Sequence, residues 1–232
     1  MSFKLSEVDV DGAIEETGSH VDGHTRAAFM RKAGVAGGAT LTGGAFLASL
    51  PEFAMAAPSK RQDLKILNFA LTLEFLEAAF YKEAVESGAL SGAALDLGKI
   101  LAADERVHVT ALRSTIKKLG GTPVPSPEFD FRGTTKDQQK FLETAFTLEN
   151  TGVRAYLGQA GRLKSKALLG VAASIVTIEA RHSGAVAVVL NQSPFTPNGT
   201  TSISPSGSFD KPLSMSAVLT ALTDPDTTFI KG

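Results

Sequence analysis

Two short stretches, Glu105-Arg106-Val107-His108 and Glu179-Ala180-Arg181-His182, decide how this chain is read. Each sets a histidine three residues after a glutamate, and no other histidine occurs after residue 24. On a helix, positions i and i+3 share a face, so each stretch aims a carboxylate and an imidazole at one spot. Two such pairs, joined by one inward glutamate from each of two further helices, make the donor set of a dinuclear metal site in a four-helix bundle.

The two further glutamates stand in Thr72-Leu73-Glu74 and Thr147-Leu148-Glu149. Each is followed seven residues later by one of the two tyrosines of the chain, Tyr81 and Tyr156. The chain thus repeats at about 75 residues, and the copies agree best at the residues able to bind metal. The predicted metal set is Glu74, Glu105, His108, Glu149, Glu179 and His182. Glu77, one turn beyond Glu74, is an alternate; its counterpart in the repeat is Gly152, which favours Glu74. Gly152 is read either as room beside the metals for a small oxidant or as a point of close helix packing. Tyr81 and Tyr156 are read first as core aromatics whose hydroxyls find a partner. Hydrogen bonding to a ligand, or electron donation to an oxidised centre, is compatible with that reading. Asp104, adjacent to Glu105 but about 100° round the helix, is assigned no role.

Helical spacing of apolar residues predicts helices over about 62–87, 91–119, 135–159 and 163–190. Thr134 or Thr135 is the predicted N-cap of the third. Gly88 closes the first helix, and Gly120-Gly121 with Pro123 and Pro125 closes the second. All four central glutamates fall near helix midpoints, so up-and-down packing brings them to one level. The loops after the first and third helices are short and imply antiparallel hairpins. The Pro-rich link from Gly120 to Thr134 is long enough, at about 50 Å extended, to run the length of the bundle. The expectation is an all-α bundle over residues 58–192. Residues 193–232 follow as an irregular segment with a short helix near Leu213–Leu222.

Burying uncompensated carboxylates together costs several kcal/mol apiece. Two divalent cations balance four glutamates, with neutral imidazoles completing the set. The chain has no cysteine, so thiolate zinc sites, iron–sulfur clusters and disulfides are excluded. Oxygen and imidazole donors suit iron, manganese or zinc, and two iron or two manganese ions are the expected cofactors. Residues 58–232 hold 19 Lys+Arg against 17 Asp+Glu, with no basic stripe for a nucleic-acid partner.

Residues 1–57 read as a targeting segment. A polar start leads to Thr25-Arg26-Ala27-Ala28-Phe29-Met30-Arg31-Lys32, a soft apolar run from Ala33 to Leu50, and Ala54-Met55-Ala56 as a cleavage site. The order is similar to a twin-arginine (Tat) signal, with Ala27 where the second arginine is usual. It predicts an exported protein of the periplasm, envelope or exterior, with no integral membrane domain once the signal is removed.

The stretch Ile66-Leu67-Asn68-Phe69-Ala70-Leu71-Thr72-Leu73-Glu74 through Ala79-Phe80-Tyr81 resembles the ferritin-like domain family that includes desiccation-related proteins. So does Leu148-Glu149 through Gly152-Val153 to Ala155-Tyr156. The likeness covers about residues 60–192. It implies a ferritin-like four-helix bundle, two hairpins joined by a long crossover, and the same six residues around two metals. The function expected is an exported di-iron or di-manganese oxidoreductase, ferroxidase- or peroxidase/catalase-like, acting on O₂ or peroxide in stress protection. A second copy of the chain is a partner the sequence allows. The alternatives are a metal-binding or storage protein without turnover, and a structural stress-protective bundle.

Overall fold

The computed structural model describes residues 59–196, 210–223 and 229–230. The targeting segment of residues 1–57, and residues 197–209, 224–228 and 231–232 of the irregular C-terminal segment, lie outside the described residues. Four long helices form the body: α1 Lys60–Glu86, α2 Gly92–Lys118, α3 Gln138–Ala160 and α4 Lys166–Val189. A short α5, Met215–Thr223, follows. α1 packs along α2 and α3 along α4, while α1 also meets α3 and α2 meets α4. The loops 87–91 and 161–165 fold each hairpin back on itself. Among the described residues there is no strand, only an isolated antiparallel bridge from Phe129 to Ile230. This is the all-α, ferritin-like arrangement expected.

The helix ends follow local chemistry. Ser59 and Ser165 cap α1 and α4, their side chains accepting from the backbone N–H of Gln62 and Leu168. α2 closes where Gly120 takes φ 74°, a conformation that costs glycine little. Gly121 N–H then donates to Ile116 O at 2.9 Å and Gly120 N–H to Lys117 O at 2.8 Å, which satisfies the last carbonyls of the helix. α4 ends the same way on Asn191, with φ 56°.

The start of α3 differs from expectation. Thr134–Lys136 form a 3₁₀ turn, and the N-cap is Asp137, whose side chain accepts from Lys140 N–H. Aspartate caps at least as well as threonine. Thr135 is also engaged elsewhere, its hydroxyl donating to Glu83 Oε1 on α1 at 2.6 Å.

The crossover is tied down at both ends. Asn68 on α1 accepts from Val124 N–H at 2.8 Å and donates to Thr122 O at 3.3 Å. Further on, Phe131 is buried against Phe80, ring centroids 5.3 Å apart, and Phe80 stacks on Phe141. The segment before α5 lies on α3, where Leu213 N–H donates to Arg154 O and Arg154 Nε to Lys211 O. Val218 and Leu222 of α5 join the core.

The core has two apolar clusters. One gathers Leu76, Phe80, Leu101, Phe141 and Val186; the other gathers Leu67, Leu71, Leu112, Ile116 and Ile175. Along α2 the passage from Leu101 to Leu112 crosses Glu105 and His108; along α4 the passage from Ile175 to Val186 crosses Glu179 and His182. A polar layer is thus clamped between two dry ones. No helix among the described residues is long and apolar enough to cross a membrane.

Candidate metal centre

Each helix of the body sends one glutamate into that layer. Glu74, Glu105, Glu149 and Glu179 are all 0% exposed. Such complete burial of four carboxylates is opposed by solvation and by mutual repulsion, so the compensating groups identify what the layer is for.

The two imidazoles are the first of these groups. His108 Nδ1 lies 3.0 Å from Glu105 Oε2, 3.1 Å from Glu74 Oε2 and 3.1 Å from Glu179 Oε1. His182 Nδ1 lies 3.1 Å from Glu105 Oε1, 3.4 Å from Glu149 Oε2 and 3.8 Å from Glu179 Oε2. Every Nδ1 contact of one histidine therefore has its counterpart at the other. Glu105 and Glu179 turn one oxygen to each histidine, while Glu74 belongs to the His108 half and Glu149 to the His182 half.

The tyrosines complete the pattern by crossing between repeats. Tyr81 on α1 donates to Glu149 on α3, and Tyr156 on α3 donates to Glu74 on α1. Both rings are buried. They are core aromatics and also hold two of the cluster's carboxylates, by the oxygen that the histidines do not approach.

Protons offset part of this charge. Burial, then the Glu179 charge, pushes the Glu74 carboxyl well above the usual carboxylate range. Burial raises Glu149 in the same way, against the pull of His182. Burial alone would lower His108; the close carboxylates of Glu105, Glu179 and Glu74 outweigh it and push it up to about 12. His182 is likewise raised, against burial, by Glu105, Glu149 and Glu179. Glu179 is the exception: burial would raise it, but His108 and His182 together drive it down to about 2. Burial and the neighbouring carboxylates raise both tyrosines, so their hydroxyls remain donors.

Several atoms of the layer are left over. Glu105 Oε1, Glu149 Oε2, both Glu179 oxygens and His182 Nδ1 are buried without a hydrogen-bond partner among the described residues. His182 Nδ1 is near its carboxylates but off hydrogen-bonding geometry. Buried polar atoms are nearly always satisfied, and these belong to carboxylates and an imidazole, the donor types that hard and borderline cations take. Two overlapping groups could hold a metal ion: Glu74, Glu105, His108 and Glu179, and Glu105, Glu149, Glu179 and His182. Within each, the donor atoms lie within 4.8 Å of one another. The cluster is compatible with metal binding.

All six residues expected from the sequence meet in this layer. Glu77 does not join either group. It is 3% exposed, and burial followed by the Glu179 charge raises its carboxyl well above the usual range. A Cβ added to Gly152 would lie 3.4 Å from Glu77 Oε1 and 3.7 Å from Glu179 Oε2. The Glu77 carboxyl thus stands over Gly152 at a distance that a Cβ would meet as ordinary contact.

Asp104 corrects the sequence reading, which gave it no role. Its Oδ2 lies 3.1 Å from His182 Nε2. Asp104 indeed points away from His108 on its own helix, but that direction is toward α4. The available signal was the repeat: Asp104 has Ile178 as its counterpart, so it breaks the pattern as Glu77 does.

No curated protein matches the chain. The family model described as a ferritin-like domain matches residues 62–192, just over half of the 232 residues and all four bundle helices almost end to end. With the bundle, the crossover and the acidic layer agreeing with that match, the chain belongs to the ferritin-like domain family.

Proposed function

We propose that this protein binds two divalent iron or manganese ions and uses them in redox chemistry on O₂ or peroxide. The observation that supports this most is the pairing of the two donor groups through shared Glu105 and Glu179. Glu74 and His108 would complete one position, and Glu149 and His182 the other. Two divalent cations cancel the charge of the four glutamates and take up the leftover buried atoms.

A pair of such ions supplies the capacity to bind a small oxidant and change its oxidation state. The chain's own part is to hold, orient and shield. Tyr81 and Tyr156 fix Glu149 and Glu74 by one oxygen, leaving the other toward the histidines. The apolar clusters on either side limit water. Glu77 can hold a proton beside Glu179. Access is on the α2/α4 side, where the His108 side chain is 10% exposed and that of Asp104 45%, against 0% for the four glutamates.

Export through the Tat-like N-terminal segment, and a stress-protective setting, remain part of this proposal on the strength of the sequence pattern. The test is elemental analysis of the full chain purified after expression with iron and manganese both supplied. About two equivalents of one metal, and consumption of peroxide or O₂ by that preparation, are expected. Protein that folds but carries neither metal would end the reading.

A further inference from the structure

The six residues around the two positions obey the repeat, but their immediate neighbours do not. On the His182 side, Asp104 Oδ2 lies 3.1 Å from Nε2. On the His108 side the matching residue is Ile178, which has no acceptor to offer, and among the described residues no carboxylate stands at His108 Nε2. Glu77 breaks the symmetry again. Its Oε1 and Glu179 Oε2 both stand over Gly152, one turn beyond Glu149, 3.4 and 3.7 Å from where a Cβ would lie, and the Glu179 charge is the one that acts most on Glu77. Glu179 Oε2 is the oxygen turned to His182, whereas Oε1 is turned to His108. Both unrepeated carboxylates thus stand on the same half of the layer.

An imidazole that offers Nδ1 to a cation carries its proton on Nε2. A carboxylate accepting that proton's hydrogen bond selects the tautomer, pins the ring and makes Nδ1 more basic, and its loss commonly weakens metal binding about 10–100-fold. His182 has this support and His108 does not. We infer that the two metal positions are unequal: the ion held by Glu149 and His182 binds more tightly than the ion held by Glu74 and His108, with Asp104 as the positioning residue responsible. This rests on the two-ion reading above.

The experiment is a titration of the metal-free full chain with Mn²⁺, following free Mn²⁺ by electron paramagnetic resonance. Two steps of different affinity are expected. Asp104→Ala weakens the tighter step about 10–100-fold and leaves the weaker one unchanged, and Asp104→Asn, which keeps an acceptor, recovers part of the loss. The Asp104 side chain is 45% exposed, so these variants do not threaten the fold. His182→Ala removes the tight step and His108→Ala the weak one. Two equal steps in the unaltered chain would overturn the inference while leaving the two-ion reading intact. So would an Asp104→Ala variant that weakens both steps alike or neither. Failure to take up a second equivalent at all would instead sink the two-ion reading, and the inference with it.

Discussion

The hydroxyl of Tyr156, on α3, donates to Oε1 of Glu74, on α1, and so binds the second repeat to the first at the level of the acidic layer. Tyr81 makes the reciprocal bond to Glu149. The two hairpins are stapled through the carboxylates themselves. Among the described residues, Tyr156→Phe or Tyr81→Phe removes the donor at one buried carboxyl oxygen without altering the ring. Each is expected to cost about 1–3 kcal/mol in urea denaturation, with an unchanged helical circular dichroism spectrum. No loss in either variant would mean that the bonds hold nothing.

The shared and unshared glutamates should separate in stoichiometry. Glu105→Gln or Glu179→Gln alters both donor groups, so both equivalents of metal are expected to be lost or severely weakened. Glu74→Gln and Glu149→Gln each touch one group and should leave close to one equivalent per chain. Metal content by mass spectrometry after desalting reads the difference directly. Equal content in all four variants would show that the layer does not hold ions in two linked positions.

The metal-free protein should lose stability as pH rises. Glu74, Glu77 and Glu149 have folded pKa values well above 4.5, so their protons favour the folded state. That contribution is full below about 4.5 and fades as pH climbs. His108, raised from 6.5 to about 12, adds stability present below 6.5 and lost as pH rises toward 12. Glu179 acts oppositely: its contribution is present above 4.5 and is lost as pH falls toward 2. Between about pH 5 and 9 the raised groups dominate, and the melting temperature of metal-free protein should decline. Divalent metal replaces those protons, so its uptake should release protons into weakly buffered indicator dye, weaken at low pH, and flatten the alkaline decline. A melting temperature that rises over that range without metal would contradict the charge assignment.

Gly158 should tolerate no side chain. A Cβ there would sit 1.8 Å from the Leu213 carbonyl oxygen and 2.8 Å from its carbon, and neither is a flexible tip that can swing away. Gly158→Ala should force residues 210–223 off α3, exposing the Val218 and Leu222 contacts with the core. A loss of about 1–3 kcal/mol, with new proteolytic cleavage around Lys211, is the expected outcome. Hydrogen exchange at Leu213 that stays slow in the variant would argue against this packing.

The helices, the crossover and the six central residues were legible in the sequence for a physical reason. A helix imposes a period, so Glu105 with His108 and Glu179 with His182 announce a shared face without any knowledge of neighbours, and the repeat supplies Glu74 and Glu149. Helix stops were legible at Gly120, where the chain turns into a positive-φ conformation. The cap of α3 was not, because Thr135 and Asp137 both suit the role and only the tie from Thr135 to Glu83 decides between them.

Helical periodicity alone assigns which residues share a face on each helix. Which face meets which was settled only by tertiary packing. Tyr81 and Glu74 lie on one stripe of α1, yet the hydroxyl bonds Glu149 of the other hairpin. Asp104 points away from the histidine on its own helix and so looked idle, while packing of α2 against α4 sets it on His182. Gly152 reads as an interruption of α3 until the Glu77 carboxyl is found above it. Local periodicity depends on backbone geometry alone, whereas these pairings join residues far apart in the chain and exist only because four helices pack at one relative rotation and height.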